Sequence, residues 1–248
     1  MKRIPRPAVL YVVVLLAVTS ASEAAADDGS GPFGVTVTAA PTAESARVGP
    51  LFSKNGHFCT ASVVHSPRRD LLVTAAHCLD DGDAGLVFEP GYRNGRAPHG
   101  VWRIVRRYLP DGWAKGQHED SDVGFAVVAE KGGRGVEDAV GGNRFVVGTA
   151  TGATAVTVIG YPASRETPVR CTNKPTLHSR TQQRIDCPDF SGGTSGSPWV
   201  NGDGQVVGVL GGHEGGGFTA DVSYSVVLGA EAGALYRTAE RCQKDSTG

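Results

Sequence analysis

An all-β fold is what this sequence predicts, on three observations. Short runs rich in β-branched and aromatic residues recur along the chain, separated by turn residues. They do not alternate with long helical patterns, which argues against an α/β layering. The 248 residues include 35 glycines, which suits a chain that turns often and tightly. That length makes one large or two small domains, with ample chain for a core. Strand spacing alone leaves barrel and sandwich open.

Taken in order, the first 26 residues read as a secretory signal peptide. Lys2, Arg3 and Arg6 form a basic start, and Ala8 to Val18 is an apolar run too short to span a bilayer comfortably. Ala24-Ala25-Ala26 supplies small residues before Asp27, a cleavage point; a retained membrane anchor is the other reading. Residues 27–47 are expected to be a linker or propeptide, with one short strand at Val35 to Val37. Arg47-Val48-Gly49 has the look of a cleavable junction, and the globular domain is expected over 48–248. Strands are predicted at Ala61–Val64, Leu71–Thr74, Leu86–Phe88, Trp102–Val105 and Val123–Val128. Further strands are predicted at Phe145–Val147, Val156–Ile159, Pro198–Val200 and Val206–Leu210, with Gly141-Gly142-Asn143 near the midpoint. Leu228, Ala232, Leu235 and Ala239 recur at helical spacing and predict a terminal helix.

The formal net charge of −1 gives no reason to expect a nucleic-acid partner. No segment after the first is apolar enough to span a bilayer, so no membrane association is expected once the signal is removed. The acidic run His118-Glu119-Asp120-Ser121-Asp122 lacks zinc-motif spacing and the glycine and glutamate of a calcium loop, so no metal is expected.

The stretch Gly192-Gly193-Thr194-Ser195-Gly196-Ser197-Pro198 carries the chemistry. Small flanking residues expose a serine hydroxyl and let backbone N–H groups approach a substrate carbonyl. A free hydroxyl is a poor nucleophile and needs an adjacent base, itself oriented by a third group. His77, in Thr74-Ala75-Ala76-His77-Cys78, supplies an imidazole able to take and return a proton near neutrality. Asp122, in Asp122-Val123-Gly124-Phe125, supplies the orienting carboxylate, with Asp120 as its rival. Chain order separates the candidates. α/β-Hydrolases run serine, acid, histidine, whereas this chain runs His77, Asp122, Ser195.

With these motifs the chain resembles the trypsin/chymotrypsin-like serine proteases, in a secreted bacterial branch similar to the glutamyl endopeptidases. The resemblance covers roughly residues 48 to 240. It implies two six-stranded antiparallel β-barrels, with a boundary near 141, and a C-terminal helix. It implies a secreted, extracellular serine endopeptidase without cofactor, a monomer acting on protein or peptide substrates. His77, Asp122 and Ser195 would be catalytic, and the N–H groups of Gly193 and Ser195 would form the oxyanion hole. An esterase-like hydrolase, or a protease-like binding protein without turnover, are the competing readings.

The cysteines at 59, 78, 171, 187 and 242 fit an exported protein. Matching the family, Cys59–Cys78 would pin the base-bearing segment, and Cys171–Cys187 would then staple the approach to the serine. A disulfide closing a loop of that size is worth about 3 kcal/mol in the chain-entropy model. Cys242 is then free, intermolecular or a sign of another pairing.

The chain departs from the family at specificity and activation. Asp189 lies at the ungapped spacing of the carboxylate that selects Lys or Arg in trypsin-like members, but the cysteine expected near it is Ser191. Glutamyl endopeptidases carry a histidine on the later wall strand; here Leu210 stands there and His213 follows three residues on. Gly211 and Gly212 are expected to leave an open wall for a substrate strand. Basic specificity therefore ranks first, apolar second and acidic third. In animal relatives a new N-terminal amine pairs with an aspartate before the serine. Thr194 stands at that place, so the charge pair cannot form, and any cleavage at Arg47 must act otherwise.

Overall fold

A computed structural model describes residues 32–80 and 85–241 of the chain. Six consecutive strands hydrogen-bond into a closed barrel. They are β2 (Val48–Ser53), β3 (Gly56–Val64), β4 (Leu71–Thr74), β5 (Val87–Phe88), β6 (Trp102–Tyr108) and β7 (Gly124–Val128), in ring order β2-β3-β4-β7-β6-β5. Alternation along β3 shows how sequence becomes packing. Cys59, Ala61 and Val63 face the barrel interior with Leu51, Leu72 and Phe88. Thr60 and Ser62, fully buried and polar, face the other way, toward the second half of the molecule.

That second half holds the remaining strands. β1 (Val37–Thr38), β8 (Arg144–Phe145), β9 (Val156–Gly160), β10 (Val169–Asn173), β13 (Pro198–Asn201) and β14 (Gln205–Val209) form one sheet in the order β1-β10-β9-β13-β14-β8. β11 (Thr176–Leu177), β12 (Gln182–Asp186) and β15 (Val222–Val226) form another. A bridge between Leu210 and Ser225 joins the two. The chymotrypsin-like architecture is thus present, with one closed barrel. In the second half β8 pairs parallel to β14, and closure is by packing around Trp199, Ile185, Phe190 and Leu210.

Among the described residues, four short helices, α1 (Ala43–Ala46), α2 (His77–Asp80), α3 (Asp111–Gly116) and α4 (Val136–Val140), precede the long α5 (Ala230–Arg241). Ala232, Leu235, Tyr236 and Ala239 of α5 pack onto Phe125, Phe145 and Leu228, the face predicted by the helical spacing. Both expected disulfides are formed, Cys59–Cys78 and Cys171–Cys187. The expected signal peptide and Cys242 lie outside the described residues.

Residues 32–47, expected to be a linker or propeptide, are hydrogen-bonded to the second half of the molecule. Gly34 N–H donates to Asp186 O (2.8 Å), Thr36 Oγ1 to Pro188 O (2.6 Å), and β1 pairs with β10. Arg47 caps α1, accepts from Val63 N–H (2.9 Å) and donates to Asn143 Oδ1 (2.9 Å). The Arg47–Val48 bond thus joins the end of α1 to the start of β2. No helix among the described residues is long and apolar enough to cross a membrane.

Candidate active site

β4 ends at Thr74 and the chain turns through Ala75 and Ala76, both fully buried, so that α2 begins at His77. The Cys59–Cys78 bridge fixes this turn to β3. Asp122 follows a single 3₁₀ turn, Glu119–Ser121, just before β7. Its carboxylate is 1% exposed and accepts three hydrogen bonds. These come from His77 N–H (2.9 Å), His77 Nδ1 (2.7 Å) and Gly212 N–H (2.8 Å). A buried carboxylate requires such partners. Donation through Nδ1 leaves Nε2 of the imidazole to accept a proton. Asp120, the rival, bonds instead to Gln182 Nε2 (2.8 Å). Trp113 flanks the imidazole, ring centroids 6.3 Å apart.

The serine loop is drawn onto this wall by its own backbone. Thr60 N–H donates to Ser195 O (2.7 Å), and Gly196 N–H donates to Leu210 O (2.7 Å). Gly196, at φ +85, lies so close that a Cβ there would overlap Thr60 O and Thr74 Oγ1. Thr194 O accepts from both the N–H (3.0 Å) and the hydroxyl (2.6 Å) of Ser197. Gly192 O accepts from Ala163 N–H (2.7 Å). Peptide C=O and N–H groups point in opposite directions across a trans bond. Anchoring the carbonyls of Gly192 and Thr194 therefore aims the N–H groups of Gly193 and Ser195 away from the protein scaffold. Among the described residues neither N–H has a partner.

The residues expected to set specificity lie as follows. Asp189 adopts a left-handed backbone (φ +69), and its side chain is 57% exposed, 3.5 Å from Arg165 Nη2. Here Asp189 faces solvent and is not a buried anionic floor. Gly211 and Gly212 do not form an open edge either. Gly211 N–H donates to Tyr224 O (3.0 Å), and Gly212 N–H is the third donor to Asp122. Gly211 has a tighter duty, since a Cβ there would lie 2.7 Å from Asp122 Oδ2. His213 turns outward. Its ring stacks on His178 at 4.6 Å, and Nδ1 lies 3.2 Å from Glu119. Gln182, Thr60, Ala163 and Trp113 escaped the sequence reading, because each acts through a contact between distant segments. A grouping of Cys59, His77 and Cys78 is metal-like in spacing, but its two sulfurs are joined in the disulfide.

This architecture, with a histidine–aspartate pair set against a glycine-rich serine loop, is that of a chymotrypsin-like protein. A model of the trypsin-like peptidase domain matches residues 59–209, more than half of the chain, and the chain belongs to that family. Among solved structures it is similar to the protease Anisep from Arthrobacter nicotinovorans (27% identity, TM-score 0.74, 83% of this chain and 99% of that one). A thermostable serine protease from an extremophilic microorganism aligns at 29% identity and TM-score 0.71, over 81% of this chain and 99% of that one. A Glu endopeptidase shares the fold at 17% identity and TM-score 0.71, over 85% and 98%. No curated protein matches the chain.

Proposed function

We propose that this chain is a secreted serine endopeptidase that works through an acyl-enzyme. Ser195 Oγ attacks the scissile carbonyl while its proton passes to His77 Nε2. The carbon–nitrogen bond breaks, and His77 returns that proton to the leaving amine. Water then attacks the acyl group, again through His77, and releases Ser195 and the new carboxylate. Asp122 fixes the imidazole and stabilises its cation, and the Gly193 and Ser195 N–H groups receive the oxyanion. One observation carries this reading: the buried Asp122 carboxylate bonds both His77 Nδ1 and His77 N–H, and the serine loop, packed at Gly196 against Ala75, has two N–H groups without a partner among the described residues.

Secretion is supported by the N-terminal pattern and by two disulfides, which favour an oxidising compartment. Residues 32–47 stay with the mature, monomeric enzyme, because they build α1 and β1, the edge strand of the second-half sheet. The ranking of side chains before the scissile bond changes. Asp189, exposed and beside Arg165, no longer supports a basic preference, and an apolar one moves ahead of it.

The test is labelling of the secreted protein with a tagged fluorophosphonate, mapped by peptide, with S195A and H77A as controls. Modification confined to Ser195 and lost in both variants is expected. Folded protein that takes no label would overturn the enzyme reading in favour of a binding protein.

A further inference from the structure

Thr60 is fully buried at the seam between the barrel and the second half, on the polar face of β3. Its hydroxyl accepts from Tyr161 N–H (2.9 Å) and lies 3.0 Å from Gly193 O. A hydroxyl has one proton to give. With Tyr161 N–H occupying a lone pair, that proton goes to Gly193 O. The same Tyr161–Ala163 segment supplies the N–H that holds Gly192 O. Gly193 is thus gripped on both sides. The peptide before it is held by Ala163, and the peptide after it is held by Thr60, which is itself held by Tyr161.

Gly193 needs that grip. Its φ of +98 is a backbone region open mainly to glycine, so nothing in its own side chain restrains it. Rotation of the Gly192–Gly193 peptide, held among the described residues only at Gly192 O, would turn the N–H away from the substrate. The next peptide limits that rotation, because Thr60 holds Gly193 O while Ser191 O holds Thr194 N–H (3.1 Å). We infer that the Thr60 hydroxyl is a positioning residue for the Gly193 oxyanion donor, acting through Gly193 O and the Tyr161 amide. The inference rests on the proposed acyl-enzyme reaction. It gives Thr60 a role that its β-strand position alone does not require, since the backbone N–H of any residue there could hold Ser195 O.

The experiment compares wild type with T60S, T60V and T60A. The rate of acylation by p-nitrophenyl acetate is measured per site titratable with fluorophosphonate, so that misfolded protein lowers the titre and not the rate. Thermal midpoints are recorded alongside. Loss of a whole oxyanion donor typically costs 10²- to 10³-fold, so a loosened one is expected to cost about 10- to 100-fold. T60V and T60A should show that loss in the acylation rate constant, with the half-saturating ester concentration within about threefold of wild type. T60S, which keeps the hydroxyl, should stay within about threefold in rate. Unchanged rates in the hydroxyl-free variants, or an equal loss in T60S, would overturn the inference. Wild type that takes no fluorophosphonate would instead remove the reaction on which it rests.

Discussion

Ser195 and Asp189 are six residues apart in one loop, yet the structure holds them in opposite ways. Around Ser195 the carbonyls of Gly192, Gly193, Thr194 and Ser195 each receive a hydrogen bond, from Ala163, Thr60, Ser197 and Thr60 in turn. The backbone beside Asp189 is also held, at Pro188 O by Thr36 and at Phe190 N–H by Ala220 O, but the Asp189 carboxylate itself is mostly exposed with one long contact to Arg165. An exposed ion pair of this kind is worth little, typically under about 1 kcal/mol. The difference separates two demands on an active site. Bond-making needs donors fixed to a fraction of an ångström before substrate arrives. The Asp189 carboxylate, left near solvent, carries no such constraint, and substitution there costs the fold little.

Three glycines break or sharpen this contrast most directly. At Gly196 an added Cβ would fall on Thr60 O and Thr74 Oγ1, at a positive φ. At Gly193 it would lie 2.5 Å from Ala163 N, again at a positive φ. At Gly192 it meets nothing within 4 Å. G196A is therefore expected to lose nearly all acylation and to lower the thermal midpoint. G193A should lose about 10²-fold or more in acylation. G192A should remain within about threefold of wild type. Fluorophosphonate titration with thermal melts measures all three. A G196A enzyme as active as G192A would mean the serine loop is slack and the comparison is wrong.

A smaller effect is expected on the other side. D189N should change the Arg-to-Leu ratio, in a peptide panel varied before the scissile bond, by less than about threefold. A solvent-screened carboxylate discriminates weakly between a cation and a neutral side chain. A tenfold fall in that ratio would return Asp189 to the substrate site and restore the basic preference.

The same contrast explains what could be read in the sequence. β4 is legible at its observed bounds, Leu71–Thr74, because a buried apolar run, Leu71 to Val73, ends at a motif. Residues such as His77, Asp122 and Ser195 announce themselves because the chemistry dictates residue type and close neighbours. β12, with Gln182, Gln183 and Arg184, was passed over because its buried glutamines find partners only in the folded chain. Gln182, for example, reaches Glu119 O (3.1 Å) across the molecule. Gly211 and Gly212 were read as an open wall, since their closeness to Asp122 is a tertiary fact. Residues 32–47 looked like a linker by composition, although pairing of β1 with β10 is set by backbone rather than side chains. Specificity was the least legible feature, because it depends on where a side chain such as Asp189 points.

The smallest effect concerns the outer support of the rigid side. Tyr161, whose N–H sets the Thr60 hydroxyl, donates its own phenol to Tyr92 O (3.1 Å). Tyr92 in turn donates its phenol to Glu166, in the loop that carries Ala163. Burial, reinforced by the Glu166 carboxylate, pushes the Tyr92 phenol up to about 12. An ordinary phenol titrates near 10. Between pH 10 and about 12 the unfolded chain therefore loses the Tyr92 proton while the folded chain keeps it. This bond's contribution is complete below pH 10 and is lost as pH rises through about 12. The unfolding midpoint should fall across that window in wild type and fall less in Y92F, which has no phenol to ionise. Absorbance at 295 nm should show Tyr92 among the late-titrating tyrosines. Identical alkaline profiles in the two proteins would mean that the 161–166 loop is held without Tyr92, and that the rigid side ends at Thr60 and Ala163.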